Sequence, residues 1–296
     1  MQKIRFISLF SGSAGNCTAV CCEDDTILID AGRSAKAIVD GLAAQGIDAA
    51  SVRAIFITHE HTDHISALRV FLKKHPIPVY SAAETYSSIL PACGDMAVRR
   101  PRIFQERIGQ MTVRSFPTSH DAASPVGYRV DIDTYYADRG ETCGGFSLGI
   151  ATDTGRITPE MQAALDGCRA VLLESNHDTE MLRRGPYPPE LQRRIASKYG
   201  HLSNERSAAL AAELARGGTR GFILAHISDE NNTRELAAST CRRQLDGAGF
   251  GEEVVVIASC RATAVEITPS AGSAACNITA QGIQCKPHGE DGKAEL

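Results

Sequence analysis

Thr58-His59-Glu60-His61-Thr62-Asp63-His64 (THEHTDH, residues 58–64) follows directly on the apolar run Ala54-Ile55-Phe56-Ile57. In an extended segment, side chains two positions apart leave on the same side, so His59 and His61 point together. Asp63 and His64 come where the strand gives way to a helix start, a turn that aims two more side chains at the same spot. Imidazole nitrogens and carboxylate oxygens are the ligands that zinc and related divalent ions take. A polar loop that is merely rich in histidine is the plain alternative. Four potential ligands within six residues behind a core strand weigh against it.

These side chains cannot all reach one ion comfortably, because ligands must spread over a tetrahedron or a larger polyhedron. A second ion needs further ligands, and the chain offers them at strand ends. His120 follows VRSFPTS, Asp153 follows GIAT and His226 follows GFILA. A polar residue at the end of an apolar run is where α/β scaffolds carry function.

The rest of the chain fits such a scaffold. Its 296 residues, 43% of them hydrophobic, are ample for a sizeable core. A net charge of −4, from 31 basic and 35 acidic residues, excludes a global basic field, so any polyanion site is local. The apolar start MQKIRFISLF lacks the pattern of a signal peptide, and no run approaches the roughly 18 apolar residues of a spanning helix. The ten cysteines form no CxxC pair and read as reduced thiols, so a cytoplasmic setting without membrane association is expected.

Strands are expected at 3–10, 18–22 and 26–30, at AIFIT and PVYSA, at VRSFPTSH, at the pair VGYRVDI and FSLGIATD, and at AVLLES and GFILAHI. Helices are expected at SAKAIVDGLAAQG, closed by Gly46, at ISALRVFLKKH, at TPEMQAALDG with proline at its first turn, and at GHLSNERSAALAAELARGG. Periodicity fades after Val265. Residues 1–267 therefore read as one hydrolase domain, and residues 268–296 as a tail expected to be mostly disordered.

HEHTDH, His120, Asp153 and His226, with Asp30 ahead of them, resemble the metallo-β-lactamase fold superfamily of binuclear metallohydrolases, in its order, over about residues 3–265. That resemblance implies an α/β fold, an αββα four-layer sandwich of two mixed β-sheets with helices outside. It implies two divalent metal ions, Zn2+ or Mn2+. His59, His61 and His120 would hold one; Asp63, His64 and His226 would hold the other. Asp153 would bridge them, and Asp30 would orient a ligand histidine from behind. Two cations close together depress the pKa of a shared water, so the reaction class is hydrolysis by a bridging hydroxide, with Asp63 at the centre of the chemistry.

The ligands alone do not choose the bond that is broken. GHLS (200–203), with His226 on the next strand, is similar to a region of ribonuclease Z in which an extra histidine contacts phosphate. There His201 would protonate the leaving oxygen and Glu174, in LLESNHD, would be its acid partner. FSGSAGNC, TDTG, LLESNHD, GHLSNE and AHISDENN together look like the YycJ/WalJ group of bacterial metallohydrolases. This implies a phosphodiester hydrolase, a 5′-to-3′ exonuclease with DNA favoured and RNA possible as substrate, and nothing about oligomeric state. A thioester or lactam hydrolase of the glyoxalase II or β-lactamase type is the alternative. A regulatory module with a structural metal ranks last, since closed structural sites favour cysteine-rich spheres. Asn176, His177 and Ser203 are candidate substrate contacts. Two departures from the group are the insert 137–145 and the tail.

Two features stay open at the level of sequence. SGSAGN (11–16) is either a phosphate cradle of backbone amides or a plain tight turn. Arg183, Arg184, Arg193, Arg194 and Lys198 either track a phosphate backbone or form a solvated face. Arg99, Arg100 and Arg102 form a second such cluster.

Overall fold

The computed structural model describes residues 4–136, 141–259, 263–269 and 276–282. Its strands fall into two sheets. The first begins as an antiparallel meander of β1 (Ile4–Phe10), β2 (Cys17–Cys22) and β3 (Asp25–Ile29). It continues in parallel through β4 (Val52–Phe56), β5 (Val79–Ala82) and β6 (Ala97–Arg100). Parallel neighbours need crossovers. These are α1 (Ala35–Ala44), the pair α2 (Thr62–Ile65) and α3 (Leu68–Lys74), and α4 (Ala83–Cys93).

The second sheet runs antiparallel from β7 (Gln105–Ile108) through β8 (Met111–Pro117) and β9 (Val126–Tyr136) to β10 (Glu141–Ala151). It becomes parallel across β11 (Ala170–Glu174), β12 (Gly221–Ala225) and β13 (Val255–Ala258). Helices α5 (Pro159–Leu165), α6 (Thr179–Arg184), α7 (Pro189–Ile195), α8 (Asn204–Arg216) and α9 (Arg234–Gly247) fill the connections.

Three apolar layers hold these elements together. Between the sheets, Phe6, Val20, Ile29 and Phe56 meet Val113, Tyr128, Leu172 and Ile223. Outside the first sheet, Ile7, Leu28 and Ile55 pack with Ile38, Leu42 and Phe71 of its helices. Outside the second, Val171, Leu173 and Leu224 pack with Leu165, Leu210, Leu214 and Leu245. Strands covered on both faces read as continuous apolar runs, which is why AIFI and VLL do not alternate. This is the four-layer αββα arrangement that the resemblance implied.

Three differences from the expectation have local causes. The helix expected over ISALRVFLKKH is split near Ser66, where Ser66 Oγ donates to Gly32 O (2.7 Å) and Ala67 N to Ala31 O (2.9 Å). Backbone beyond β3 thus supplies the partners and ties the turn to the strand end. α4, with Pro91 inside it, and the polar α9 carry weak apolar stripes and went unread. Within the stretch expected as a tail, Cys276–Gly282 forms β15, paired antiparallel on β14 (Thr263–Pro269), which itself pairs with β1. Residues 283–296 and residues 137–140 of the insert lie outside the described residues. Among the described residues no helix is long and apolar enough to cross a membrane.

One buried hydrogen bond couples the sheets just ahead of THEHTDH. Tyr128 of β9 is fully buried, stacks edge-on against Phe56 (5.7 Å) and donates its hydroxyl to Ile57 O at 2.6 Å. Tyr128→Phe leaves that carbonyl without its donor and is expected to cost about 1–3 kcal/mol. The check is the urea midpoint at unchanged m-value; a midpoint equal to that of wild type would remove this bond from the account.

Candidate metal centre

All seven predicted ligands converge where the C-terminal ends of β4, β8, β10 and β12 meet between the sheets. Asp30 follows β3, Asp153 follows β10 and His226 follows β12, and all three adopt positive φ (63°, 54° and 54°). That backbone conformation is uncommon for residues other than glycine and costs about 1–3 kcal/mol each where surrounding structure enforces it. It turns each chain sharply at the strand end and aims the side chain across the gap between the sheets.

Ligand-type atoms group tightly there. Within each of four sets, every atom lies within 4.8 Å of the others: His59–His61–His120, His59–His64–Asp153, Asp63–His64–His226, and Asp153–Glu174–His201–His226. The first and third sets are the two triads expected from the sequence. Asp153 belongs to two sets, with its Oδ2 3.4 Å from His64 Nε2 and its Oδ1 3.5 Å from His226 Nδ1.

The imidazoles are oriented from behind. His64 Nδ1 lies 2.8 Å from Asp30 Oδ2, and an ionised carboxylate only accepts, so Nδ1 carries a proton towards Asp30 and Nε2 is the nitrogen left to face a cation. Asp30 also accepts from the backbone N–H and the hydroxyl of Thr58, both at 2.8 Å. His120 Nδ1 donates to Gly200 O at 3.2 Å. His201 and His226 both donate through Nδ1 to Glu174 Oε1, at 2.8 and 2.9 Å. The second oxygen of Glu174 accepts from Thr154 N and Leu202 N. Glu174 is therefore shared between His201, its expected partner, and His226.

What these bonds leave over is the test of fit for a metal. His59 Nε2, His226 Nε2 and Asp153 Oδ2 are buried and have no hydrogen-bond partner. Buried polar atoms without partners are costly, and lone pairs of this kind are what a divalent cation takes. Burial together with the neighbouring imidazoles pushes the pKa of His59 well down, so it is neutral, as a ligand must be. At His64 and His226 burial works against the charged ring, yet the acids outweigh it. Asp30 and Asp153 raise His64 well above its usual value, and Asp153 and Glu174 raise His226 to about 9. The acid side responds in kind. Burial would raise Asp63, but the hydrogen bond and charge of His64 bring it to about 2. Protons on His64 and His226 thus stand where cations would neutralise the same carboxylates. The residues fit.

Over the cluster opens a cavity of about 370 Å³. His61, Asp63, His120, Asp153, His201 and His226 line its floor; Tyr187, Leu191, Arg194 and Ile195, on and before α7, form a wall. Arg194 pairs with Asp121, whose Oδ1 is 3.2 Å from His120 Nε2. Of these wall residues Leu191 and Ile195 carried no signal in the sequence, whereas Arg194 belongs to the basic cluster noted there. Asn176, a predicted substrate contact, lines the cavity and donates to His226 O at 2.8 Å. His177 and Ser203 do not line it. Both are buried, Ser203 caps α8 through Arg206 N, and the two residues form a β-bridge. Cys17, Cys21, Cys22, Cys93, Cys168 and Cys241 are buried free thiols outside all four ligand sets.

A four-layer αββα sandwich with an HxHxDH turn and strand-end His and Asp ligands defines a class of metallohydrolases, and comparison with known proteins agrees. Residues 11–131 match the profile of the Metallo-beta-lactamase superfamily. The chain is 36% identical over 252 residues to the Exodeoxyribonuclease YycJ of Bacillus anthracis, covering 84% of this chain and 91% of that protein. It is 34% identical over 253 residues to the Exodeoxyribonuclease WalJ of Streptococcus pneumoniae, covering 83% and 90%. Among solved structures, the metallo-beta-lactamase fold protein YhfI from Bacillus subtilis superposes with a TM-score of 0.65 at 14% identity, covering 88% of this chain and 98% of that one. The chain belongs to the metallo-β-lactamase superfamily of hydrolases, in the family of YycJ and WalJ. The superfamily uses divalent metals, and this chain carries candidate His and Asp ligands for them.

Asp30→Asn removes one of the two acceptor oxygens behind His64 and Thr58. Loss of such an orienting partner is expected to weaken divalent metal binding by about 10–100-fold, read by calorimetric titration of the metal-stripped protein. Unchanged affinity would dismiss Asp30 as the element that holds His64.

Proposed function

We propose that this protein is a dinuclear metal-dependent phosphodiester hydrolase, an exonuclease that degrades DNA from the 5′ end. The observation that carries the reading is His201, an imidazole on the floor of the cavity, held through Nδ1 by buried Glu174 beside the ligand sets. Hydrolysis of a lactam or thioester does not require a fixed proton donor at an alkoxide leaving group; a phosphodiester benefits from one.

In this reading His59, His61 and His120 hold one ion, Asp63, His64 and His226 the other, and Asp153 faces both. Zn2+ and Mn2+ both suit such His/Asp spheres. When bound, the ions supply Lewis acidity, acidifying a water and neutralising charge on the phosphate. The chain's own groups do the rest. Asp30 and Glu174 fix the tautomers, so that Nε2 of His64 and of His226 faces the centre as a lone pair. His201, its Nδ1–H engaged, presents Nε2 as the atom from which a proton passes to the leaving oxygen. Residues 1–267 are assigned this role, and residues 268–296 are outside it.

The mouth supports a strand end as substrate. A cavity of about 370 Å³ sits at the small end of ligand pockets, which span roughly 300–1,000 Å³, and suits one residue of a chain better than a duplex. Of the basic cluster, Arg183 and Arg184 are tied to Glu180 and Arg194 to Asp121. Arg193 and Lys198 have no acidic partner among the described residues. Lys198 Nζ sits 4.9 Å from the ring centroid of Tyr199, which is 50% exposed. A cation next to an exposed ring matches a sequence-independent track for single-stranded nucleic acid. The reading places the protein in the cytoplasm, where its DNA substrate is found.

His61→Ala is expected to abolish turnover with the circular dichroism spectrum unchanged, and His201→Ala to slow phosphodiester cleavage by about 10²–10⁴-fold. Both are assayed on 5′- and 3′-labelled DNA and RNA, with S-lactoylglutathione in parallel, in Mn2+ and in Zn2+. Thioester hydrolysis without nucleic-acid cleavage would overturn the nuclease reading, and a wild-type rate in His201→Ala would remove the proton-donor role.

A further inference from the structure

We infer that the loop Ser11–Asn16 (SGSAGN) is the positioning element of one ligand set, Asp63–His64–His226, and that it sets the affinity of the ion held there independently of the ion held by His59–His61–His120. The inference rests on the dinuclear reading above.

The loop reaches all three members of that set. Asn16 is 6% exposed, and its side-chain amide is fully engaged. Oδ1 accepts the Gly12 N–H at 2.9 Å; Nδ2 donates to Asp63 Oδ2 at 3.1 Å and lies 3.1 Å from His64 Nε2. The amide thus donates to one ligand carboxylate and rests against the ligand nitrogen of the neighbouring imidazole, fixing where both side chains stand. At its other end Ser11 Oγ accepts the backbone N–H of His226 at 2.6 Å, at the positive-φ turn that aims this residue. The backbone completes the clamp. Asn16 N donates to Asp63 O (2.7 Å) and Gly32 N donates to Asn16 O (2.8 Å).

These bonds leave the amides of Gly12, Gly15 and Asn16 unavailable to a phosphate. The three already donate within the chain, to Asn16 Oδ1, Gly12 O and Asp63 O. The space beside them is taken up by backbone. A Cβ at Gly32 would collide with the carbonyl of Asp63, and one at Gly15, where φ is +137°, with the carbonyl of Gly32. Small residues at Gly15 and Gly32 let the loop lie directly on the HxHxDH turn.

The other triad is supported elsewhere. His59 Nδ1 lies 3.0 Å from Thr58 Oγ1, and His120 Nδ1 donates to Gly200 O. The loop makes no hydrogen bond to either, so its loss falls on one ion and spares the other.

The test uses the metal-stripped full-length protein, Asn16→Ala and Ser11→Ala, titrated with Mn2+ by calorimetry. Bound metal is counted by mass spectrometry after desalting. The two variants touch the set from opposite ends, so each covers for misfolding of the other, which thermal melts of the stripped proteins reveal. Wild type is expected to show two binding classes. In each variant one class weakens about 10–100-fold, as for other residues behind a ligand, while the second class is unchanged and the count after desalting falls from two ions to one. Two wild-type classes that both variants weaken alike, or leave alone, overturn the inference and spare the dinuclear reading. A wild type that takes up a single ion overturns both.

Discussion

Two buried carboxylates, one at the end of each sheet, set the geometry of everything around the centre. Asp30 leaves β3 of the first sheet and Glu174 closes β11 of the second. Each is 3% exposed or less, and a carboxylate removed from water must fill its lone pairs with donors or revert to the neutral acid. Asp30 fills them with Thr58 N, Thr58 Oγ1 and His64 Nδ1; Glu174 does so with Thr154 N, Leu202 N and the Nδ1 atoms of His201 and His226. The same bonds that make burial of these acids tolerable choose the tautomer of three imidazoles. The ligand atoms face inward because the acids stand behind them.

That arrangement carries a cost at its centre. With the Nδ1 protons committed outward, His59 Nε2, His226 Nε2 and Asp153 Oδ2 meet no donor or acceptor of the protein. Each such buried atom costs about 1–3 kcal/mol if nothing engages it. Their concentration in one place, together with three strained backbone turns, is economical only if a ligand of positive charge fills the space. Binding free energy then returns what folding gives up.

Part of this was legible in the sequence for a physical reason. HEHTDH puts four candidate ligands within six residues, so local geometry alone brings them together. His120, Asp153 and His226 were visible because an apolar run interrupted by one ligand-type residue marks a strand end. Glu174 and His201 lie 27 residues apart and were paired through resemblance, not through any local pattern. The bond from Asn16 to Asp63 spans 47 residues and that from Arg194 to Asp121 spans 73. Such contacts depend on how α7 and the loop after β1 lie across the strand ends, which no periodicity encodes. Leu191 and Ile195 carry no mark of a site in the sequence until α7 is seen to wall the cavity.

The division between legible and illegible residues follows the division of labour in the site. Groups that must bind a cation are restricted to a few side-chain types, so chemistry writes them into the sequence. Groups that orient those ligands need only a donor or acceptor at the right distance, and Ser11, Asn16 and Thr58 are unremarkable choices for that. Yet their positions are constrained at least as tightly, because a ligand displaced by a fraction of an ångström no longer shares a cation with its partners. The close approach of Gly32 to the Asp63 carbonyl is the clearest case. It is a residue without a side chain whose identity is dictated by the backbone of a candidate metal ligand 31 positions away, through nothing but the room that one methyl group would occupy.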